Sequence, residues 1–134
     1  MVQRIDAFAH ITPPEFYEEM SEVHSTPALH NLYFEPIWNV DRRLEDMDDH
    51  GIDTQVLSLA NPPIWRGMNP EDALPLTRLA NDLVREIADE HPDRFVPIAT
   101  LPFATEAYVE EFERCLDDLD MRGVQLFSNV AGRP

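Results

Sequence analysis

The sequence predicts an α/β fold with a parallel sheet, on three observations. Four short runs near 4–10, 54–60, 95–101 and 123–127 have strand character. Amphipathic helical patterns separate them at the spacing of right-handed βαβ units. Prolines that cannot continue a ladder follow the first two runs, Pro13-Pro14 and Pro62-Pro63. Periodicity alone makes an open doubly wound sheet the default, but its phosphate-binding glycines are absent, with four glycines in all and no Gly-x-Gly. At 134 residues the chain is expected to be one domain or part of one.

The first run, Arg4 to Ile11, alternates faces and stops at the proline pair. Glu15 to Val23 carries a short helical pattern, and Ser25 to Trp38 then mixes prolines, histidines and aromatics without a sustained period. Asn39 is a plausible N-cap for a helix with Val40, Leu44 and Met47 on one side, and Gly51 marks its end. Thr54 to Ala60 reads as a mostly buried strand. Asn69-Pro70-Glu71-Asp72 opens the next helix. Pro75 lacks the N–H an interior turn needs, so regular helix is expected only from about Ala73. Its apolar stripe is Leu76, Leu79, Ala80, Leu83, Val84 and Ile87. Phe95 to Leu101 is the third strand, whose internal Pro97 must face away from a ladder bond or sit at a bulge. Thr105 is expected to cap a helix burying Val109, Phe112, Leu116 and Leu119, and Gly123 releases the chain into a fourth strand.

Ten basic residues against 26 acidic ones give a net charge of −16, and all ten are arginine. This excess of negative charge argues against nucleic-acid binding. Dense carboxylate together with the absence of lysine predicts a halophilic source, because salt screens the self-repulsion. No stretch approaches the roughly 20 apolar residues of a membrane span, and no leader is recognisable, so a cytoplasmic protein is expected. The single cysteine, Cys115, excludes an internal disulfide and reads as a small buried hydrophobe.

On an alternating strand Asp6, Phe8 and His10 share one side. Together with Leu57-Ser58-Leu59-Ala60-Asn61-Pro62-Pro63, Leu79-Ala80-Asn81-Asp82, His91-Pro92-Asp93-Arg94-Phe95, Ile98-Ala99-Thr100-Leu101-Pro102 and Met121-Arg122-Gly123-Val124-Gln125-Leu126, this opening resembles the amidohydrolase-related family that includes aminocarboxymuconate semialdehyde decarboxylase. In that family the first strand reads Ile-Asp-x-His-x-His-x-x-Pro; here Phe8 stands where the first histidine would be. The resemblance implies a (β/α)8 TIM barrel with metal and substrate at the C-terminal strand ends, of which residues 1–134 form a single partial domain of four strands, about half a barrel. It implies His10 as a metal ligand. Asp6 is a second contributor, an acceptor that orients His10, or a structural carboxylate. The family's later ligands, a histidine after the fifth strand and an aspartate after the eighth, would lie beyond Pro134. A divalent metal, zinc or manganese, is therefore expected only in a completed barrel. The implied activity is hydrolysis or decarboxylation of a small carboxylated substrate, with this fragment inactive by itself. The alternative is a non-catalytic half-barrel that associates with another chain or is a truncated gene product. Two open sheet edges predict self-association or a complementary C-terminal half.

In a barrel the strand-to-helix loops lie at the catalytic end. There His24, His30, Tyr33, Phe34 and Trp38, and in the second loop Trp65 and Arg66, can form an aromatic wall and an anion clamp. Trp65, Arg66 and His30 are the candidate substrate-binding residues. His50 and His91 end helices and read as C-terminal caps. Gln125 and Asn129 face the interior or the mouth.

Overall fold

The computed structural model describes residues 2–23, 30–31, 33–60 and 67–126. In order, they form β1 (Ile5–Ile11), α1 (Pro14–Val23), α2 (Glu35–Trp38), α3 (Val40–His50) and β2 (Thr54–Leu59). Next come α4 (Pro70–Glu90), β3 (Phe95–Pro97), β4 (Ala99–Thr100), α5 (Glu106–Asp117) and β5 (Val124–Gln125). β1, β2 and β3 pair in parallel in that order, and β4 pairs in parallel with β5. Parallel neighbours require crossovers, and α3, α4 and α5 supply them. α1 and α2 belong to an excursion that returns to its origin, where the Thr12 N–H donates to the Ile37 carbonyl (2.8 Å).

The expected cap geometry holds for α3. The Asn39 side chain accepts from the Arg42 N–H, and Gly51 takes the left-handed conformation with φ of 63°. Met47 of α3 then packs with Ala9 and Ile11 of β1, Leu57 of β2, Phe95 of β3, and Val84 and Ala88 of α4. This is the layer between sheet and helices. A second cluster, Phe16, Met20, Leu59, Leu76 and Ala80, seats α1 on α4. Cys115 is buried with Ala99 and Met121, and burial pushes its thiol up to about 12.

Four expectations need correction. The helix expected from Ala73 runs from Pro70 straight through Pro75. Pro75 and Glu71 are both exposed near the N-terminal end, where a missing backbone bond is least disruptive. The third strand is two: Ile98 donates to the Leu57 carbonyl (3.0 Å), whereas Ala99 donates to the Gly123 carbonyl (2.9 Å). Pairing thus passes from β2 to β5 just after Pro97. Thr105 occupies the N-cap position of α5, but its side chain makes no capping bond. Lastly, α5 buries Tyr108, Glu111 and Cys115, while Val109 and Leu116 are exposed. The cause is polar. Glu111 accepts from Arg78, Asn81, Arg114 and Cys115, and that network turns the helix toward α4.

Candidate functional site

The C-terminal end of β1 is shaped by a bulge. Ile5 and Asp6 pair with Thr54 and Gln55, but Ala9, His10 and Ile11 pair with Leu57, Ser58 and Leu59. Three steps on β1 therefore match two on β2, and the extra residue reverses the alternation. Asp6 lies on the Gln55 face, its carboxylate accepting from the Gln55 amide (3.1 Å) and from the Phe8 N–H (3.2 Å). His10 lies on the opposite face with Ser58. The expectation that Asp6 shares the side of His10 is corrected by this register. Phe8 does stay beside His10, with ring centroids 4.5 Å apart and edge to face.

His10 Nδ1 is 2.8 Å from Ser58 Oγ, a buried hydroxyl that also reaches the Ala9 carbonyl (3.5 Å). The imidazole pKa is lowered, first by burial and then by the Arg43 cation, against opposing effects of Asp6 and the Leu59 backbone. A neutral, oriented ring is the form that donates a lone pair to a metal. One ring is not a site, however. Phe8 contributes no donor atom, Asp6 is turned away, and the described residues include no group of three or more His, Cys, Asp or Glu able to hold a metal. The described residues therefore do not by themselves fit a metal ion.

Arg43 reaches this strand from α3. It is 9% exposed and donates to the Gln55 side chain (3.1 Å), the Pro36 carbonyl (3.0 Å) and the His10 carbonyl. Burial lowers its pKa, with Asp6 and Asp46 opposing. The sequence holds a signal for its burial, though not for its role: Arg43 lies three residues after Val40 and four before Met47, within the apolar stripe.

Rings of α1 and the first excursion meet. Tyr17 stacks on Tyr33 (3.7 Å, 7°), Trp38 stacks beyond it (6.1 Å), and Tyr17 OH is 2.6 Å from His30 Nδ1. Tyr17, which reading by loops alone missed, is the centre of this wall; Phe34 is exposed at its margin. His24, Trp65, Arg66 and Asn129 lie outside the described residues. His50 caps its own helix, with Nδ1 2.7 Å from the Asp46 carbonyl, whereas the His91 ring packs edge-on against Phe95.

At the other side of the sheet, Thr100 pairs with Gln125, and their neighbours Ala99 and Val124 pack toward Cys115. Gln125 consequently points to the face that carries Ser58 and His10. Its Oε1 and the Thr100 Oγ1 are buried with no hydrogen-bond partner among the described residues. On the α5 side of β5 an apolar groove of about 220 Å³ is lined by Tyr108, Val109 and Phe112 of α5 and by Val124 and Leu126.

The family described as amidohydrolase matches residues 5–134. The 2-amino-3-carboxymuconate-6-semialdehyde decarboxylase of Dictyostelium discoideum is 34% identical over 97 residues, covering 72% of this chain and 27% of that protein. The crystal structure of 2,6-dihydroxybenzoate decarboxylase from Rhizobium superposes with a TM-score of 0.75 at 31% identity, covering 98% of this chain and 41% of that one. That of dihydroxybenzoic acid decarboxylase from Polaromonas, with bound manganese and 2-nitroresorcinol, gives 0.74 at 29% identity, covering 92% and 38%. The chain thus spans about a quarter of the curated relative, and about two fifths of the solved ones.

Proposed function

Because the chain belongs to the amidohydrolase family, we propose that it is the N-terminal part of a barrel that, once completed, removes carbon dioxide from a small carboxylated substrate. One observation carries this reading: His10 ends β1 on the interior face, neutral and held by Ser58, where a barrel places its chemistry. Relatives named as decarboxylases favour loss of carbon dioxide over hydrolysis. A divalent cation, manganese or zinc, would polarise a substrate oxygen when bound; its remaining ligands lie outside the described residues. This chain's own contributions are the His10 imidazole, the stack of Tyr17, Tyr33 and Trp38 as one wall of a substrate cavity, and the backbone that orients both. Trp65 and Arg66, which lie outside the described residues, are proposed to offer the substrate an apolar surface and an anion clamp.

The second reading, a non-catalytic half-barrel that associates with another chain, rests on Phe8. At 77% exposed it is a large ring left uncovered on the same face as His10, at the position of a ligand in the related motif. The open groove beside β5 is where a further α-helix would cover α5. No helix among the described residues is long and apolar enough to cross a membrane.

Carbon dioxide release from a panel of hydroxybenzoates, with manganese or zinc present, tests the proposal. A chain extended through eight βα units should turn over at least one of them, and residues 1–134 alone should not. Turnover by the short chain would refute the division of the site, and a folded, metal-loaded extended chain without activity would leave the non-catalytic reading in its place.

A further inference from the structure

We infer that Arg43 is a positioning residue for His10, acting by locking the β1 bulge that turns the imidazole to the interior face. The argument starts from strand phase. In an uninterrupted strand Asp6 and His10 would share a face, so a strand with Asp6 fixed on the helix side would drive His10 into the layer occupied by Leu57 and Met47. The register avoids this by one extra residue between Asp6 and Ala9. Each contact that defines the extra residue leads back to Arg43. The guanidinium donates to Gln55 Oε1, the other end of that amide donates to Asp6 Oδ2, and Asp6 Oδ1 accepts from the Phe8 N–H inside the bulge. A second nitrogen of the same guanidinium holds the His10 carbonyl on the far side of the bulge and the Pro36 carbonyl of the returning loop. The bulge is thus clamped at both ends by one side chain.

The residue type fits this task. Three acceptors in different directions need a planar fork, which a lysine ammonium on its flexible stem does not provide. A buried cation also needs compensation, and Asp6 supplies it through Gln55, which explains a carboxylate at a position that bonds only an amide and a backbone N–H. The importance of the lock for catalysis rests on the reading of His10 as a ligand; the lock itself does not.

The test is nitrogen NMR of the His10 ring at a fixed pH above its titration, with amide hydrogen exchange, on this chain without metal or substrate. The parent should show one His10 tautomer, because Ser58 engages Nδ1. Arg43→Met, Arg43→Lys and Asp6→Asn should each give averaged tautomers. Amides of residues 8–12 should exchange at least about tenfold faster while those around Val84 stay unchanged. Rescue by Arg43→Lys would overturn the fork. A parent-like His10 spectrum in the Met variant, or in Asp6→Asn should the Arg43 variants not fold, would overturn the inference and leave Arg43 as a helix-to-strand staple. Because neither metal nor substrate enters, failure here is distinct from failure of the decarboxylase reading.

Discussion

Replacing Glu111 should unfold this protein more readily than replacing any exposed carboxylate on its strongly acidic surface. Its side chain is fully buried and accepts from Arg114 Nε (2.8 Å) and Nη2 (2.9 Å), Asn81 Nδ2 (2.9 Å), Arg78 Nε (3.2 Å) and Cys115 Sγ (3.3 Å). Removing one partner of a buried ion pair generally costs about 3–5 kcal/mol. Here Arg78 and Arg114 keep access to water, with side chains 46% and 27% exposed, and Arg114 retains Asp82 at 2.7 Å. The lower end applies, so Glu111→Ala should cost about 3 kcal/mol and lower Tm by roughly 10 °C. Glu111→Gln, which keeps shape and one good acceptor, should cost about 2 kcal/mol. Burial pushes the Glu111 carboxyl up, but the bonds from Arg114, Asn81 and Cys115 outweigh it and hold the group below its ordinary 4.5. The unfolded chain then binds the proton more tightly. The contribution is complete above the unfolded pKa and is lost as pH falls through the lowered folded value. Urea unfolding of parent and Glu111→Gln should therefore differ at neutral pH and converge as pH falls through the lowered folded value. A difference under about 1 kcal/mol at neutral pH, or parallel curves into acid, would refute the reasoning.

Phe8→His should set a second imidazole beside His10, and zinc affinity measured by calorimetry should rise at least about tenfold; unchanged binding would mean the two rings do not share a metal-facing side. Gly51 has φ of 63°, and a Cβ there would sit 3.2 Å from Arg4 Nη1. Gly51→Ala should consequently cost about 1 kcal/mol in denaturant unfolding. With a net charge of −16 and no lysine, Tm should climb steeply from low to molar potassium chloride, and a flat series would remove the halophilic reading.

Elements whose partners lie close in sequence were legible. Asn39 and Gly51 delimit α3 because capping is a local hydrogen bond and a local φ. The mostly buried, aliphatic-rich run of β2 was equally direct. What escaped was decided by side chains from distant elements. The amphipathic pattern of α5 pointed to Val109 and Leu116, but four donors from α4 and α5 itself turned Glu111 inward instead. Asp6 was placed with His10 because a period of two is all that a strand sequence displays; the bulge depends on Gln55, 49 residues away. Within the candidate site, His10 stood out as an isolated imidazole before a proline pair. Ser58, Tyr17 and Arg43 did not, since each acquires its role only from its neighbour across the fold.

The transfer of pairing at Pro97 has a geometric outcome for the sheet as a whole. Up to Leu57 the third strand lies alongside β2; from Ala99 it is committed to β5, and the Thr100 N–H is met by the Asn81 side chain (2.9 Å) in place of a strand. A ladder that changes partner at one residue bends there, as strands do at the corners of closed barrels. Together with the bulge in β1, the break gives the sheet two points at which strands of closed barrels turn. Curvature that a barrel needs for closure is thereby written into these residues themselves: a proline and one supernumerary residue act as the wedges that decide which way the wall turns.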